Sequence, residues 1–155
     1  MTVFTYESTV LSDWIDYNGH MQDAYYGLIF SHAVDAFQDA VGFDAAYRAR
    51  TGCTIYLLED HKFFLREVKE AAGVCVQTRL LAFDEKKFHL HQLMYEGLVA
   101  VAASEVMELH VKQAPAPHAV PIPKPIAEVL DRNLCPPESL PDPAPRSRAL
   151  ALRHR

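Results

Sequence analysis

The chain has 155 residues, 50% of them hydrophobic and 23% charged, which is enough apolar material for one domain with a real core and excludes wholesale disorder. Its formal charge of −5 argues against a nucleic-acid partner, because a phosphate backbone is held by clustered Lys and Arg. An odd set of three cysteines without CxxC spacing, no leader-like start and no long apolar run predict a reduced, cytoplasmic setting with no membrane partner.

The opening residues 3–10 alternate as a first strand. The stretch DWIDYNGHMQDAYYG (13–27) follows, a loop that is both polar and unusually aromatic. Residues 25–41 then place Ile29, Ala33, Ala36, Phe37 and Ala40 at three-and-four spacing, which predicts the longest helix, closed by Gly42 as its C-cap. FDAAYRART adds a further helical turn or two.

Four strand-like runs come next: 54–65, 74–83, 86–95 and 98–112, separated by Gly73, the Asp84–Lys86 turn and Gly97. In the last run the odd positions from Val99 to Val111 are apolar except Glu105, as a half-buried strand requires. One long helix against about five mostly antiparallel strands is an α+β arrangement in which the sheet wraps the helix. Neither βαβ alternation nor a Gly-rich phosphate loop is visible.

All ten prolines lie between Pro115 and Pro145, whereas all six glycines lie between Gly19 and Gly97. The compact domain is therefore expected over 1–113, with 114–155 as a Pro-rich extension. Within the extension PKPIAEVLDRN predicts a short helix with Ile126, Val129 and Leu130 on one side. Beyond it the chain reads as disordered or draped over the surface, and the basic end RSRALALRHR as a solvated tail.

The 13–27 loop feeds directly into the helix, whose start presents free N–H groups and the positive end of its dipole. Asp16 there is a candidate nucleophile or general base, beside Asn18 and His20, with Gly19 allowing the sharp turn. The ordinary alternative makes Asp16 and Asn18 turn formers and Asp23 a helix cap. Trp14, Tyr17, Tyr25 and Tyr26 are costly to expose together and serve well as pocket walls.

The D-Y-N-G-H-M stretch, followed by polar residues, a Tyr and a long helix, resembles the signature of hotdog-fold acyl-CoA thioesterases of the 4-hydroxybenzoyl-CoA thioesterase type. WIDYNGHM, VGFDAAY, the Glu59–His61 strand, DEKKFHLH and SEVMELHV occur in the order seen in one group of that superfamily. This group is found beside or fused to carnitine dehydrogenase and is described as acting on betainyl-CoA. The resemblance implies a sheet of about five strands around one helix, hydrolysis of a short acyl-CoA to an acid and free CoA in carnitine breakdown, and no cofactor.

By the same resemblance Asp16 stands at the catalytic carboxylate, and the amides near Asp23 to Tyr25 at the helix start that polarises the thioester carbonyl. It further implies a homodimer, or a dimer of dimers, with CoA lying across two chains. Related chains often read NN where this one has Gln22 and Asp23, so Asp23 adds charge near the acyl group. That suits a trimethylammonium head held over the rings of Trp14, Tyr17, Tyr25, Tyr26 and Tyr56.

Other readings compete. Hotdog enoyl-CoA hydratases carry a similar loop, but here the His falls one position early and the Pro is absent. A non-catalytic acyl-CoA-binding protein would share the fold. His89 and His91 stand two apart on a strand with Glu96 beyond, yet the further glycine and second motif of a metal-binding cupin are missing, so no metal is expected. Alternation places Glu59 and His61 on one face with Ile55, Leu57 and Phe63, where either residue could position the attacking water in a partner's site. Lys62, Arg66, Lys86 and Lys87 are the cations available for CoA phosphates.

Overall fold

The computed structural model describes residues 2–142 and 144–152. Its elements run β1 (Phe4–Thr9), α1 (Asp23–Val41), α2 (Ala45–Thr51), β2 (Cys53–Phe64), β3 (Gly73–Phe83), β4 (Lys87–Glu96), β5 (Val99–Lys112), β6 (His118–Ala119) and α3 (Lys124–Arg132). The long strands form one antiparallel sheet in the order β1-β3-β4-β5-β2, with the short β6 added to the end of β5. One helix held by a curled sheet is the hotdog arrangement.

α1 threads both halves of the core. Its later residues Val34, Phe37 and Val41 pack with Phe43, Leu80, Phe88 and Leu90, while Tyr26, Ile29, Phe30 and Ala33 pack with Val74, Val76, Met94 and Ala102. Phe37 is fully buried, edge-on to Phe4 at 4.9 Å between ring centres and tilted against Phe88 at 5.8 Å. Burying a ring of that size contributes about 1.5–3 kcal/mol.

The buried stripe is wider than the five-residue pattern predicted. Phe30, Val34 and Val41 join it, Ala40 is exposed, and Gln38 is buried. The sheet curls round the helix and covers more than one side of it. Gly42 ends the helix in the left-handed region at φ 107°, as expected of a C-cap.

The core does not stop at Gln113. α3 forms over the predicted segment and inserts Ile126 and Leu130 into the same cluster as Phe37. From there the chain returns across the outer face of the sheet. Leu134 bridges Leu80, Cys135 N–H donates to the Leu80 carbonyl at 2.8 Å, and His91 Nε2 donates to the Pro145 carbonyl at 2.9 Å.

This covering corrects the half-buried reading of β5, which is buried on both faces along its centre. Even positions Ser104, Val106 and Glu108 face α1, and Glu105 faces the extension. Of the basic tail, Arg146 is engaged with Glu105, while Arg153 to Arg155 lie outside the described residues.

Candidate active site

The loop before α1 is closed at its base by an antiparallel bridge between Ile15 and Met21. Within it Asp16 N–H donates to the His20 carbonyl at 2.9 Å, and Gly19 N–H to the Asp16 carbonyl at 3.0 Å. Such a tight return needs a left-handed residue, and Gly19 supplies it at φ 78°. Asn18 N–H donates to Asp16 Oδ1 at 2.8 Å. The turn-forming role of Asp16 thus occupies one carboxylate oxygen, and among the described residues Oδ2 accepts no hydrogen bond.

α1 begins two residues earlier than its apolar pattern suggested. Gln22 is the N-cap, in extended conformation and without a side-chain capping bond, and Asp23 is the first helical residue. Asp23 is therefore not the cap that the ordinary reading of the loop made it. Tyr25 N–H already donates to the Gln22 carbonyl at 3.0 Å, so of the amides expected at the helix start those of Asp23 and Ala24 stay available to an acceptor from outside the helix, where the dipole favours developing negative charge.

A cavity of about 420 Å³ opens at this junction. Asp16, Asn18, His20 and Asp23 line it together with the Tyr26 side chain, against Phe64, Leu65, Arg66 and Glu67 from the end of β2. Tyr26 donates its hydroxyl to the Arg66 carbonyl at 3.1 Å, fixing loop to helix. Burial pushes the Tyr26 phenol above its ordinary pKa, so it stays protonated. Glu67, Phe64 and Leu65 were not singled out from the sequence, because they carry no signature in a run that reads as an ordinary strand end.

The five-ring cage does not assemble within one chain. Trp14 stacks on Tyr25 at 5.3 Å, and both pack on the core beneath the loop. Tyr17 is 98% exposed at the loop tip, and Tyr56 lies on the edge strand, away from the cavity. Tyr26 alone of the five reaches the cavity wall.

Glu59 and His61 are also placed elsewhere. A β-bulge between Leu57 and Glu59 shifts the register of β2 against β5 by one residue. Ile55, Leu57, Asp60 and Lys62 consequently face α1, whereas Glu59 and His61 point to the outer face and bond each other at 3.0 Å. Strict alternation had put Glu59 and His61 with Ile55 and Leu57; the bulge reverses that.

A second cavity, of about 340 Å³, lies further along α1, between it and β2. Tyr26 of the first and Gly27 of the second are consecutive, and Phe64 and Lys62 lie two apart on one face of β2. Asp35, Asp60 and Glu108 line this second cavity, with Lys62 paired to Asp60. Burial, reinforced by the Asp35 and Asp60 charges, pushes Glu108 up to about 7. Sequence reading missed Glu108, because its even position in β5 was assigned to solvent.

His89 and His91 serve the outer face. His89 Nε2 donates to Glu105 Oε1 at 2.8 Å, and Arg146 Nη2 donates to the same oxygen at 2.9 Å. Burial alone would raise Glu105, but the bonds from His89, Arg146 and the Ser147 amide outweigh it and hold the carboxyl at about 2. Burial lowers the His91 pKa, keeping that ring neutral.

Chemically, the first cavity joins a carboxylate to a helix start with free N–H donors. A carbonyl oxygen seated on those amides would be polarised as it became an oxyanion, and a carboxylate in the same cavity is the type of group that acts as nucleophile or general base. That combination serves acyl transfer to water.

The model of the Thioesterase-like superfamily matches residues 10–130. The chain is similar to a betainyl-CoA thioesterase of Pseudomonas aeruginosa, 48% identical over 109 residues that make up 69% of each protein. An L-carnitine dehydrogenase/betainyl-CoA thioesterase of Agrobacterium fabrum is 39% identical over 127 residues, which are 81% of this chain and 26% of that longer protein. Among solved structures, a Staphylococcus aureus protein in complex with CoA superposes with a TM-score of 0.82 at 26% identity, covering 97% of this chain and 96% of the other.

Proposed function

This chain belongs to the thioesterase-like superfamily, and from that premise we propose that the acyl group it releases from CoA is betaine. It is an acyl-CoA thioester hydrolase. The observation that carries the site assignment is the meeting of Asp16 and the uncapped start of α1 in one cavity. In this reading the thioester carbonyl sits on the first amides of α1, and Asp16 attacks the carbonyl carbon or takes a proton from a water that does. Attack by Asp16 breaks the C–S bond, releases the CoA thiolate and leaves a mixed anhydride that water then cleaves to the free acid and the restored carboxylate; attack by water replaces the C–S bond by a C–O bond directly, and the proton taken by Asp16 passes to the CoA thiolate.

Gly19 holds the loop in its return, and Asn18 fixes one Asp16 oxygen so that the other is left for the reaction. Asp23, Tyr26 and Arg66 line the cavity, and in this reading the first two border the acyl group and the third meets a CoA phosphate.

Two chains pair, in this reading, along β2. That strand is the edge of the sheet, and Tyr56, Leu57, Leu58 and Phe64 on it are between 39% and 54% exposed, a row that water disfavours and a second edge would cover. CoA then lies across both chains. Betaine release places the enzyme after the steps that oxidise and activate carnitine, in the cytoplasm; no helix among the described residues is long and apolar enough to cross a membrane.

The test is a panel of acyl-CoA thioesters assayed for free thiol. Betainyl-CoA is expected to be cleaved faster than acetyl-CoA and long-chain esters; equal rates for betainyl-CoA and acetyl-CoA would overturn the substrate.

A further inference from the structure

The acyl group of the reading above is short. Its quaternary nitrogen is bonded to the methylene next to the thioester carbonyl, about 2.5 Å from the carbonyl carbon. Whatever recognises that charge must therefore line the cavity at the start of α1. Three carboxylates do so: Asp16, Asp23 and Glu67.

Two of the three have another task. Asp16 is committed to the chemistry, with one oxygen held by the Asn18 amide. Asp23 is the first residue of α1, where the helix dipole already compensates its charge. Glu67 comes from the wall that follows β2, and among the described residues it makes no ion pair with Arg66 or with any other cation. Arg66 is given to a CoA phosphate in the reading above, which leaves Glu67 for the acyl group.

The backbone that carries Glu67 is fixed on both sides. The Leu65 and Arg66 N–H groups donate to the Val101 carbonyl at 2.9 and 3.0 Å, and the Arg66 carbonyl accepts from the Tyr26 hydroxyl at 3.1 Å. On the other side the carbonyl of fully buried Val68 accepts from the Met21 N–H at 2.8 Å. Glu67 is thus mounted between β5, α1 and the loop, and a charge on so fixed a support need not be ordered by the ligand it meets.

A trimethylammonium head has no N–H to donate, so charge and surface are what a site can offer it. The surface stands beside Glu67. Tyr26, on the cavity wall, meets Phe64 edge-on at 5.3 Å, and Leu65 extends the apolar side. The Tyr26 phenol senses the carboxylate: burial raises its pKa first, and the charges of Glu67 and Glu96 raise it further.

We infer that Glu67 is the residue that selects a cationic acyl group, its carboxylate facing a quaternary ammonium seated against Tyr26 and Phe64. The inference rests on the betainyl reading and deepens it, moving charge recognition from the loop aromatics and Asp23 to the segment after β2.

The experiment compares kcat/KM for betainyl-CoA with that for tert-butylacetyl-CoA, its neutral isostere with carbon in place of nitrogen. Wild-type protein is expected to prefer the cationic ester. In Glu67→Gln the cationic-to-neutral ratio is expected to fall by about tenfold, carried by KM, as the loss of one charge contact at partial exposure implies. Glu67→Asp keeps the charge and is expected to retain more of the ratio than Glu67→Gln. Asp23→Asn is the comparison. A ratio that survives Glu67→Gln, or that falls further in Asp23→Asn than in Glu67→Gln, overturns the assignment and leaves the betainyl reading standing. Equal losses on both esters would make Glu67 a structural residue and also overturn it. Equal wild-type rates on the two esters overturn this inference together with the betainyl reading.

Discussion

Glu105 and Arg146 stand 41 residues apart in sequence, yet Glu105 Oε1 accepts from both Nε and Nη2 of Arg146, at 3.1 and 2.9 Å. The carboxylate is fully buried at the centre of β5, and the arginine arrives from the extension that covers the sheet. His89 completes the triad from β4. This cluster is what joins the C-terminal segment to the domain electrostatically.

The folded-state pKa of Glu105, about 2, lies below the ordinary 4.5, so the unfolded chain takes up the proton first as pH falls. The stabilisation is present above the unfolded value and is lost as pH drops through the folded one. At pH 7 Glu105→Gln is expected to cost on the order of 3 kcal/mol, including the arginine left without its partner. Thermal unfolding of both proteins at pH 7 and pH 3 checks it: the gap in Tm should shrink at the lower pH, and a constant gap would contradict the cluster.

Replacing Asp16 by Asn keeps an acceptor for the Asn18 amide and so preserves the turn, but removes the charge. Loss of a positioned base or nucleophile lowers kcat by about 100-fold or more. The expected result is a collapse of thiol release with acyl-CoA binding retained, measured by turnover and by calorimetric titration with a non-hydrolysable thioether analogue. Unchanged turnover on every active ester would remove Asp16 from the chemistry.

The sequence makes α1, its glycine cap and the four long strands legible, because each is written as a periodic apolar pattern with a turn residue at its end. The loop was legible for a different reason: several acids and rings were gathered in a place where a turn needs only one or two of them. What was not legible depends on irregularity. Leu57 and Leu58 are adjacent and apolar, which signals a bulge in retrospect, and that single extra residue decides which face Glu59 and His61 occupy.

The second failure was one of coverage. Reading β5 as half-buried assumed that nothing lay over the sheet, but the Pro-rich segment does, and both faces of the strand then become interior. The face around Glu105 that the extension covers was mistaken for the one against the helix, so Ser104 and Glu108, which line a cavity against α1, looked like solvent positions.

Leu58 is the bulged residue itself, without a register partner on β5 and 52% exposed at the sheet edge. If β2 is the seam between two chains, Leu58→Lys places a strongly hydrated ammonium in it and repels its own copy. Sedimentation at micromolar concentration is expected to show a dimer for the wild type and a shift toward monomer for the variant, with thiol release falling in parallel because the proposed dimer shares its site between both chains. A variant that remains fully dimeric would move the seam away from this part of β2.

The Glu108 carboxyl gives the fold a pH signature. Its folded-state value of about 7 arises from burial first and then from Asp35 on α1 and Asp60 on β2, with the Lys62 ammonium paired to Asp60. Because this value lies above the ordinary 4.5, the folded state holds the proton longer than the unfolded one, and stability falls as pH rises from the unfolded value through the folded one. Glu108→Gln should therefore stabilise the protein more at pH 8 than at pH 5. Thermal unfolding of both proteins at pH 5 and pH 8 checks it, and the advantage of the variant in Tm should widen at the higher pH. A difference in Tm that does not change with pH would mean that Glu108 titrates alike in the folded and unfolded protein.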